Sequence, residues 1–264
     1  MMLQTDALTR RFGTFTAVDA LTLSVDAGEV FGLLGANGAG KSTAIKMLTT
    51  LLPPTSGTAA IAGLDVVRQA AAVRRIIGYV PQMVSADGSL TGYENLLVFA
   101  RLYAIPKGER EERIRQSLAF MGLEDAAGKL VQTFSGGMLR RLEIAISTLH
   151  RPRLLFLDEP TVGLDPLARE AVWAHIVQLQ SNYGTTVFLT THYMEEADRL
   201  CRRIGILHRG KMAAIGTPLE LKRSVGDAQT TLDEVFAHYA GGALESEEGY
   251  REAARTRQTA RRMG

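Results

Sequence analysis

The order of apolar and polar positions divides the chain into strands alternating with helices near both ends and helices alone in the middle. In "AVDALTLSV", residues 17–25, Val18, Leu21, Leu23 and Val25 fall near one face, as expected of a half-buried strand. After the turn "DAGE", "VFGLLG" is a short, fully apolar strand that runs into glycines. "KSTAIKMLTTLL" follows as a helix that Pro53 and Pro54 are expected to stop. "IIGYV" is another short strand, ending at Pro81-Gln82.

Strand signals then vanish from Leu90 to Ser135. Thr91 and Glu94 are spaced as a capping box opening the helix "ENLLVFARLYA", and "EREERIRQSLAFMG" is a second helix with Gly122 at its end. Alternation resumes with "RLLFLDEP", a continuous apolar run typical of a parallel strand covered on both faces. Asp165-Pro166 caps a helix reaching about Asn182, and "TTVFLTTH" is the next strand. "RIGILHRGKMAAIG" makes a hairpin around His208-Arg209-Gly210, and two short helices start at Thr217-Pro218 and Thr231-Leu232. The pattern is that of an α/β core with a helical subdomain inserted at about 90–150.

Composition changes this picture little. At 264 residues, 46% hydrophobic and 22% charged, the chain has ordinary globular content and length enough for a real core. The single cysteine, Cys201, rules out an intrachain disulfide and reads as a small buried apolar residue. No apolar run reaches the length of a membrane span, and "MMLQTDALTRRFG" lacks the apolar core of a signal peptide. Any membrane role is therefore expected through a partner. The net charge of +2 is uneven: Gly249 to Gly264 carries five arginines and one glutamate, leaving −2 on the rest. Such an end is a solvated tail or an electrostatic contact with a partner or lipid surface. No comparable basic stripe marks the body, so nucleic acid is not an expected partner.

Candidate chemistry begins at "GANGAGKST", which matches G-x-x-x-x-G-K-[ST] between a strand and a helix. Backbone N–H groups of Gly35, Ala36, Asn37, Gly38, Ala39 and Gly40 can curl around phosphate oxygens, with Thr43 closing the motif. Lys41 adds a point charge near the outer phosphates, and the Ser42 hydroxyl can ligate Mg²⁺. "LLFLDE" supplies two carboxylates that point to opposite sides of a strand end. Asp158 is placed to support the Mg²⁺ shell, and Glu159 to take a proton from an attacking water. "TFSGGMLRRLEIA" exposes backbone N–H groups at a helix start but has neither a lysine poised for phosphate nor a carboxylate for metal. It looks like half of a phosphate site.

The order and context of Gly35 to Thr43, Gln82, Ser135 to Met138, Asp158-Glu159, Gly163-Leu164-Asp165 and His192 resemble those of an ATP-binding cassette ATPase. The match runs from about Leu3 to Gly241, and "SGGM" is its specific element. "SGGMLRRLEIA" and the tail are similar to subunits that energise bacterial drug-resistance exporters of the daunorubicin type. Three positions depart from the family's pattern: Ala36 stands for proline, Phe134 for leucine and Met138 for glutamine.

The resemblance implies an α/β fold: a P-loop NTPase core with an N-terminal antiparallel β subdomain and the inserted helical subdomain. The ATPase domain would span 1–241, followed by a basic, flexible tail at 242–264. It places Phe12 against adenine, the alternative being a core phenylalanine of the edge sheet. It has Gln82 reaching Mg²⁺ and the attacking water, and His192 holding the γ-phosphate and orienting Glu159. Ser135 and the N–H of Gly137 would complete the γ-phosphate shell of a neighbouring chain, with Gly136 and Asp165 also in the nucleotide-binding set, giving a two-fold dimer closed by two ATP molecules. The implied function is to hydrolyse ATP and energise a separate integral membrane permease at the cytoplasmic face of the membrane, exporting drug or lipid-like substrates. The permease would be received by the surface from Gln82 to Leu96. A soluble cassette ATPase of translation or DNA repair is the alternative. Translation-type proteins carry two cassettes on one chain and the repair type a long coiled coil, and neither feature is present here. A generic P-loop GTPase would need an N-K-x-D guanine motif, which is missing.

Overall fold

Bulges shape the first sheet. The computed structural model describes residues 1–227 and 229–240, and begins with β1 (Leu3–Phe12) and β2 (Phe15–Val25), an antiparallel pair. Between the pairs Thr5–Leu23 and Leu8–Leu21, β1 carries an extra residue; between Leu8–Leu21 and Arg10–Val18, β2 carries one. Ala7 and Ala20 take the left-handed backbone at these bulges, with φ of 45° and 50°. The second bulge explains how Val18 and Leu21, three residues apart, both turn inward, where they are buried with Leu23 and Val25.

The chain continues through β3 (Val30–Leu34), α1 (Lys41–Leu48), β4 (Ser56–Ile61), β5 (Leu64–Asp65), α2 (Ala70–Ile76) and β6 (Ile77–Val80). Three helices follow, α3 (Gly92–Leu102), α4 (Lys107–Phe120) and α5 (Gly136–Thr148). Then come β7 (Leu154–Asp158), α6 (Pro166–Tyr183), β8 (Thr186–Thr191), α7 (Met194–Leu200), β9 (Arg203–His208), β10 (Lys211–Gly216), α8 (Pro218–Val225) and α9 (Leu232–Tyr239). The capping box at Thr91 is formed: its hydroxyl accepts from the Glu94 N–H at 3.1 Å, and the Glu94 carboxylate accepts from the Thr91 N–H at 2.8 Å.

Two sheets result, a four-stranded antiparallel one in the order β2-β1-β4-β5 and a six-stranded one in the order β10-β9-β3-β8-β7-β6. In the larger sheet β10 alone runs antiparallel to its neighbour. Its central strands divide their side chains by alternation. Leu155, Leu157, Val187 and Leu189 pack with Leu142 and Ile144 of α5 and Trp173 and Ile176 of α6. Leu154, Phe156 and Phe188 pack on the other face with Ile45 and Leu48 of α1 and Leu21 and Val25 of β2. Burial on both faces is why these strands read as unbroken apolar runs. Parallel register also aligns their C-terminal ends: Leu34 lies beside Thr191, Asp158 beside Thr190, and Val80 beside Leu157. Those ends form one edge.

The sequence expectation differs from the structure in a few places. The helix after Lys41 does not run to Pro53; it ends at Leu48. Thr50 adopts φ of 65°, and the N–H groups of Leu51 and Leu52 turn back to the Lys46 carbonyl at 2.9 and 3.0 Å, closing the helix before the prolines. The pattern did not announce β4, β5, α2 or α7, which are short and only partly apolar. The expected basic tail at 242–264 lies outside the described residues.

Where β6 meets α5 there is no spare room. The Ser147 hydroxyl donates to the Tyr79 carbonyl at 2.9 Å, and a Cβ at Gly78 would run into the Ser147 carbonyl oxygen. Gly78→Ala is expected to lower stability by about 1–3 kcal/mol, the usual cost of overpacking. Urea unfolding measures it, and an unchanged midpoint would contradict this packing.

Candidate functional site

The loop between β3 and α1 is walled tightly on one side and open on the other. A Cβ on Gly35 would sit 2.7 Å from the Leu207 carbonyl oxygen, and one on Gly40 would strike that of Ala17. Gly38 and Gly40 have φ of 82° and 109°, conformations that favour glycine, and a Cβ on Gly38 would meet nothing within 4 Å. Ala36, Asn37 and Gly38 are exposed, while Ala39 is buried. Helix α1 starts without a side-chain cap and without an acidic residue in its first turn. Its N–H groups and the curled loop fit an anionic phosphate chain. Lys41 is only 5% exposed; its Nζ donates to the carbonyls of Gly35 at 2.6 Å and Ala36 at 3.2 Å. Ser42 and Thr43 follow, half-buried, in the first turn of α1.

Two carboxylates face this loop from the end of β7. Asp158 Oδ1 accepts from the Ser42 hydroxyl at 3.2 Å and the Thr190 hydroxyl at 2.6 Å. Burial, followed by the Asp158 charge, pushes the Tyr79 phenol up to about 12, so it stays protonated. Glu159 has φ of 50°, a left-handed conformation costing a non-glycine residue on the order of 1–3 kcal/mol. The turn is held by its N–H, which donates to the Thr190 carbonyl and hydroxyl, each at 3.1 Å. Although only 5% exposed, Glu159 gathers groups from three other segments. Lys41 Nζ lies 3.1 Å from Oε1, and Gln82 Nε2 donates to Oε2 at 3.1 Å. His192 Nδ1 is 3.3 Å from Oε1 but makes no aligned hydrogen bond, so that contact is one of proximity. The hydroxyl of Ser42, the carboxylate of Asp158 and the amide oxygen of Gln82 are hard oxygen donors of the kind Mg²⁺ takes.

The second half of the proposed machinery stands apart. Ser135 caps α5, its hydroxyl accepting from the Met138 N–H at 3.3 Å, and both Ser135 and Gly136 are exposed. Gly137 is buried because α6 is close: a Cβ there would lie 2.7 Å from that of Ala168. Asp165 caps α6 and accepts from the N–H of the same Ala168 at 2.9 Å. Among the described residues, no hydrogen bond or ion pair joins Ser135, Gly136, Gly137 or Asp165 to Lys41, Ser42, Asp158 or Glu159. Phe12 is 45% exposed at the end of β1, with the Arg10 guanidinium 4.7 Å from its ring centre. It is therefore no core residue. Cys201 is buried against Gly32, and burial pushes its thiol pKa up, as an inert apolar residue requires.

Sequence reading missed Thr190. It donates to Asp158 and accepts from the Glu159 N–H, so it registers both carboxylates. The available signal was a run of threonines ending a strand buried on both faces, where a hydroxyl must find a partner.

Three comparisons bear on this geometry. Residues 18–162 match the protein-family model described as ABC transporter. The chain is 48% identical over 224 residues to the daunorubicin/doxorubicin resistance ATP-binding protein DrrA of Streptomyces peucetius, covering 85% of this chain and 68% of that protein. A solved ATP-binding subunit of an ABC transporter superposes with a TM-score of 0.81 at 31% identity, over 90% of this chain and 99% of the other. The ATP-binding cassette MJ0796, solved as a dimer in a post-hydrolysis state bound to ADP and Pi, gives a TM-score of 0.72 at 27% identity, over 82% of this chain and 98% of that one.

Thr190→Val removes one of the two hydroxyls donating to the buried Asp158 carboxylate, so it is expected to destabilise by about 1.5–3 kcal/mol. Thr190→Ser keeps the hydroxyl and should recover most of that loss. Denaturant titration of both variants distinguishes the hydrogen bond from simple packing, since packing alone would make serine the worse substitution.

Proposed function

This chain belongs to the ABC transporter family of ATPases, and we propose that it energises a separate membrane permease that exports drug or lipid-like molecules. The observation that carries the reading is the convergence of Lys41, Gln82 and His192 on one buried carboxylate, Glu159. In this reading the loop Gly35 to Gly40, with Lys41 and Thr43, holds the phosphates of ATP. Ser42, Asp158 and Gln82 hold Mg²⁺, which supplies charge neutralisation on the phosphate oxygens when bound. Glu159 accepts the proton of the water whose oxygen bonds to the γ-phosphorus as the bond to the bridging oxygen breaks. ADP and phosphate leave. His192 orients Glu159, and Phe12, exposed rather than core, stacks on adenine.

The exposed cap at Ser135 and Gly136 supports a shared site. With the N–H of Gly137, it would close on the γ-phosphate held by a second copy, giving a dimer with two ATP molecules between the chains, and Asp165 would belong to the same nucleotide-binding set. The MJ0796 cassette was solved as a dimer bound to ADP and Pi, which supports a dimeric arrangement. A docking face for the permease is supported by Met83, Val84, Val98 and Leu102, large apolar side chains exposed around Gln82 and along α3. No helix among the described residues is long and apolar enough to cross a membrane, which fits attachment through that permease at the cytoplasmic face. Export of drugs rests on the relative from Streptomyces peucetius, whose name is that of a resistance protein. The proposed ATPase domain is 1–241, with residues 242–264 as its basic tail.

Glu159→Gln keeps the side chain's shape and removes the base. ATP hydrolysis is expected to fall by about 10²- to 10⁴-fold while ATP binding persists, and the variant should elute as a dimer with Mg-ATP. A rate near wild type would remove Glu159 from this role. The shared site is tested by mixing Lys41→Ala with Ser135→Arg, each inactive alone. A heterodimer isolated by two different tags should bind ATP tightly in one of its pockets, because that pocket has both an intact loop and an intact cap. Binding no better than in either parent homodimer would place both halves of the site within one chain.

A further inference from the structure

Helix α5 is tied to the segment carrying Gln82 by a buried ion pair. Arg140 and Glu143, 7% and 2% exposed, pair at 3.1 Å. An i,i+3 pair on a helix is ordinarily a solvated feature, yet this one faces inward. Its other bonds go to a single irregular stretch after β6. Arg140 Nη1 donates to the Pro81 carbonyl at 2.8 Å and Nη2 to the Gln82 carbonyl at 3.4 Å. Glu143 Oε1 accepts from the Ser85 N–H at 2.7 Å and the Ser85 hydroxyl at 3.2 Å. One heptad beyond Arg140, on the same helix face, the Ser147 hydroxyl bonds to the Tyr79 carbonyl at 2.9 Å. Burial pushes the Glu143 carboxyl pKa up and the Arg140 guanidinium pKa down, the mark of two charges held out of water. An apolar pair would hold the helix against the sheet without that cost. What the charges add is a set of directional, charge-assisted bonds to backbone groups that no strand satisfies.

We propose that Arg140 and Glu143 are positioning residues for Gln82, making α5 and the Pro81–Ser85 segment move as one body. Ser135, Gly136 and Gly137 stand at the start of this helix, and Gln82 Nε2 reaches Glu159 at 3.1 Å from the clamped segment. Engagement of the cap by a second copy is thereby linked to the placement of Gln82 in the same chain. Met83 and Val84, exposed between the clamp points at Gln82 and Ser85, give a docked partner a handle on the same body. The inference rests on the reading above that Gln82 serves the hydrolytic site.

The test uses the purified full chain and four variants: Gln82→Ala, Arg140→Lys, the pair Arg140→Met with Glu143→Leu, and that pair combined with Gln82→Ala. The apolar pair leaves no unpaired buried charge. Arg140→Lys keeps the ion pair while losing the forked contact to two carbonyls, and serves if the apolar pair does not fold. Replacing the pair should lower kcat by roughly ten- to a hundredfold with KM for Mg-ATP unchanged, the signature of misplacement rather than lost binding. In the Gln82→Ala background it should cost nothing further. Without nucleotide, amide exchange should rise at Ser85, whose N–H the pair holds, and stay unchanged in β7. Additive losses in kcat, or unchanged exchange at Ser85, would overturn the proposal while leaving Gln82's role standing. A Gln82→Ala rate equal to wild type would overturn the reading of Gln82 and this proposal with it, and shows without any change in α5.

Discussion

A carboxylate buried to 5% exposure governs the arrangement of this protein. Glu159 cannot remain charged out of water without nearby compensation, since the penalty is several kcal/mol per ion. Lys41 and Gln82 supply that compensation from two separate segments, and His192 stands beside them 3.3 Å from Oε1. The left-handed turn at Glu159 aims the side chain at them, and Thr190 holds the turn through two bonds to its N–H. A relaxed backbone at this position would turn the carboxylate away from its partners. The local strain and the buried charge are therefore one feature, offset by the surrounding contacts.

Parallel register is what makes such a meeting possible. Strands β3, β7 and β8 end side by side, with β6 beside β7, so the loops that leave them share one edge of the sheet. Gly35, Gln82, Glu159 and His192 follow those four ends and come from positions distant in the chain. Ligand sites at the carboxyl edge of open parallel sheets arise for this reason. The antiparallel sheet contributes from the side: Ala17 on β2 crowds Gly40, and Phe12 stands exposed at the end of β1.

Much of this was legible because its chemistry has fixed spacing. The glycines and Lys41 of the loop between β3 and α1, the Asp158-Glu159 pair and the Thr91–Glu94 capping box all announce themselves over a few residues. Features that depend on tertiary partners were not. The bulges at Ala7 and Ala20 compensate for irregular spacing that a strict two-residue period leaves unexplained. The early end of α1 follows from a left-handed Thr50, which propensity does not foresee. Arg140 and Glu143 look in sequence like a solvated helix face, and only their bonds to Pro81, Gln82 and Ser85 show otherwise.

The two ends of the polar system also differ in how they are satisfied, and that difference bears on assembly. Lys41, Asp158 and Glu159 find partners within the chain and are buried. Ser135 and Gly136 are exposed, and the packing around them serves another purpose: Gly137 is small to let α6 approach, and Asp165 caps α6 beside it. A cap evolved only to start a helix would not need two glycines behind it, each of which costs helix stability relative to alanine. The Ala168 contact accounts for Gly137 but not for Gly136, whose would-be Cβ would make only an ordinary 3.4 Å contact with Leu164. In the proposed shared site, Gly136 would permit the close approach of an anion held by a second copy, and the bare N–H groups beside it would suit that anion.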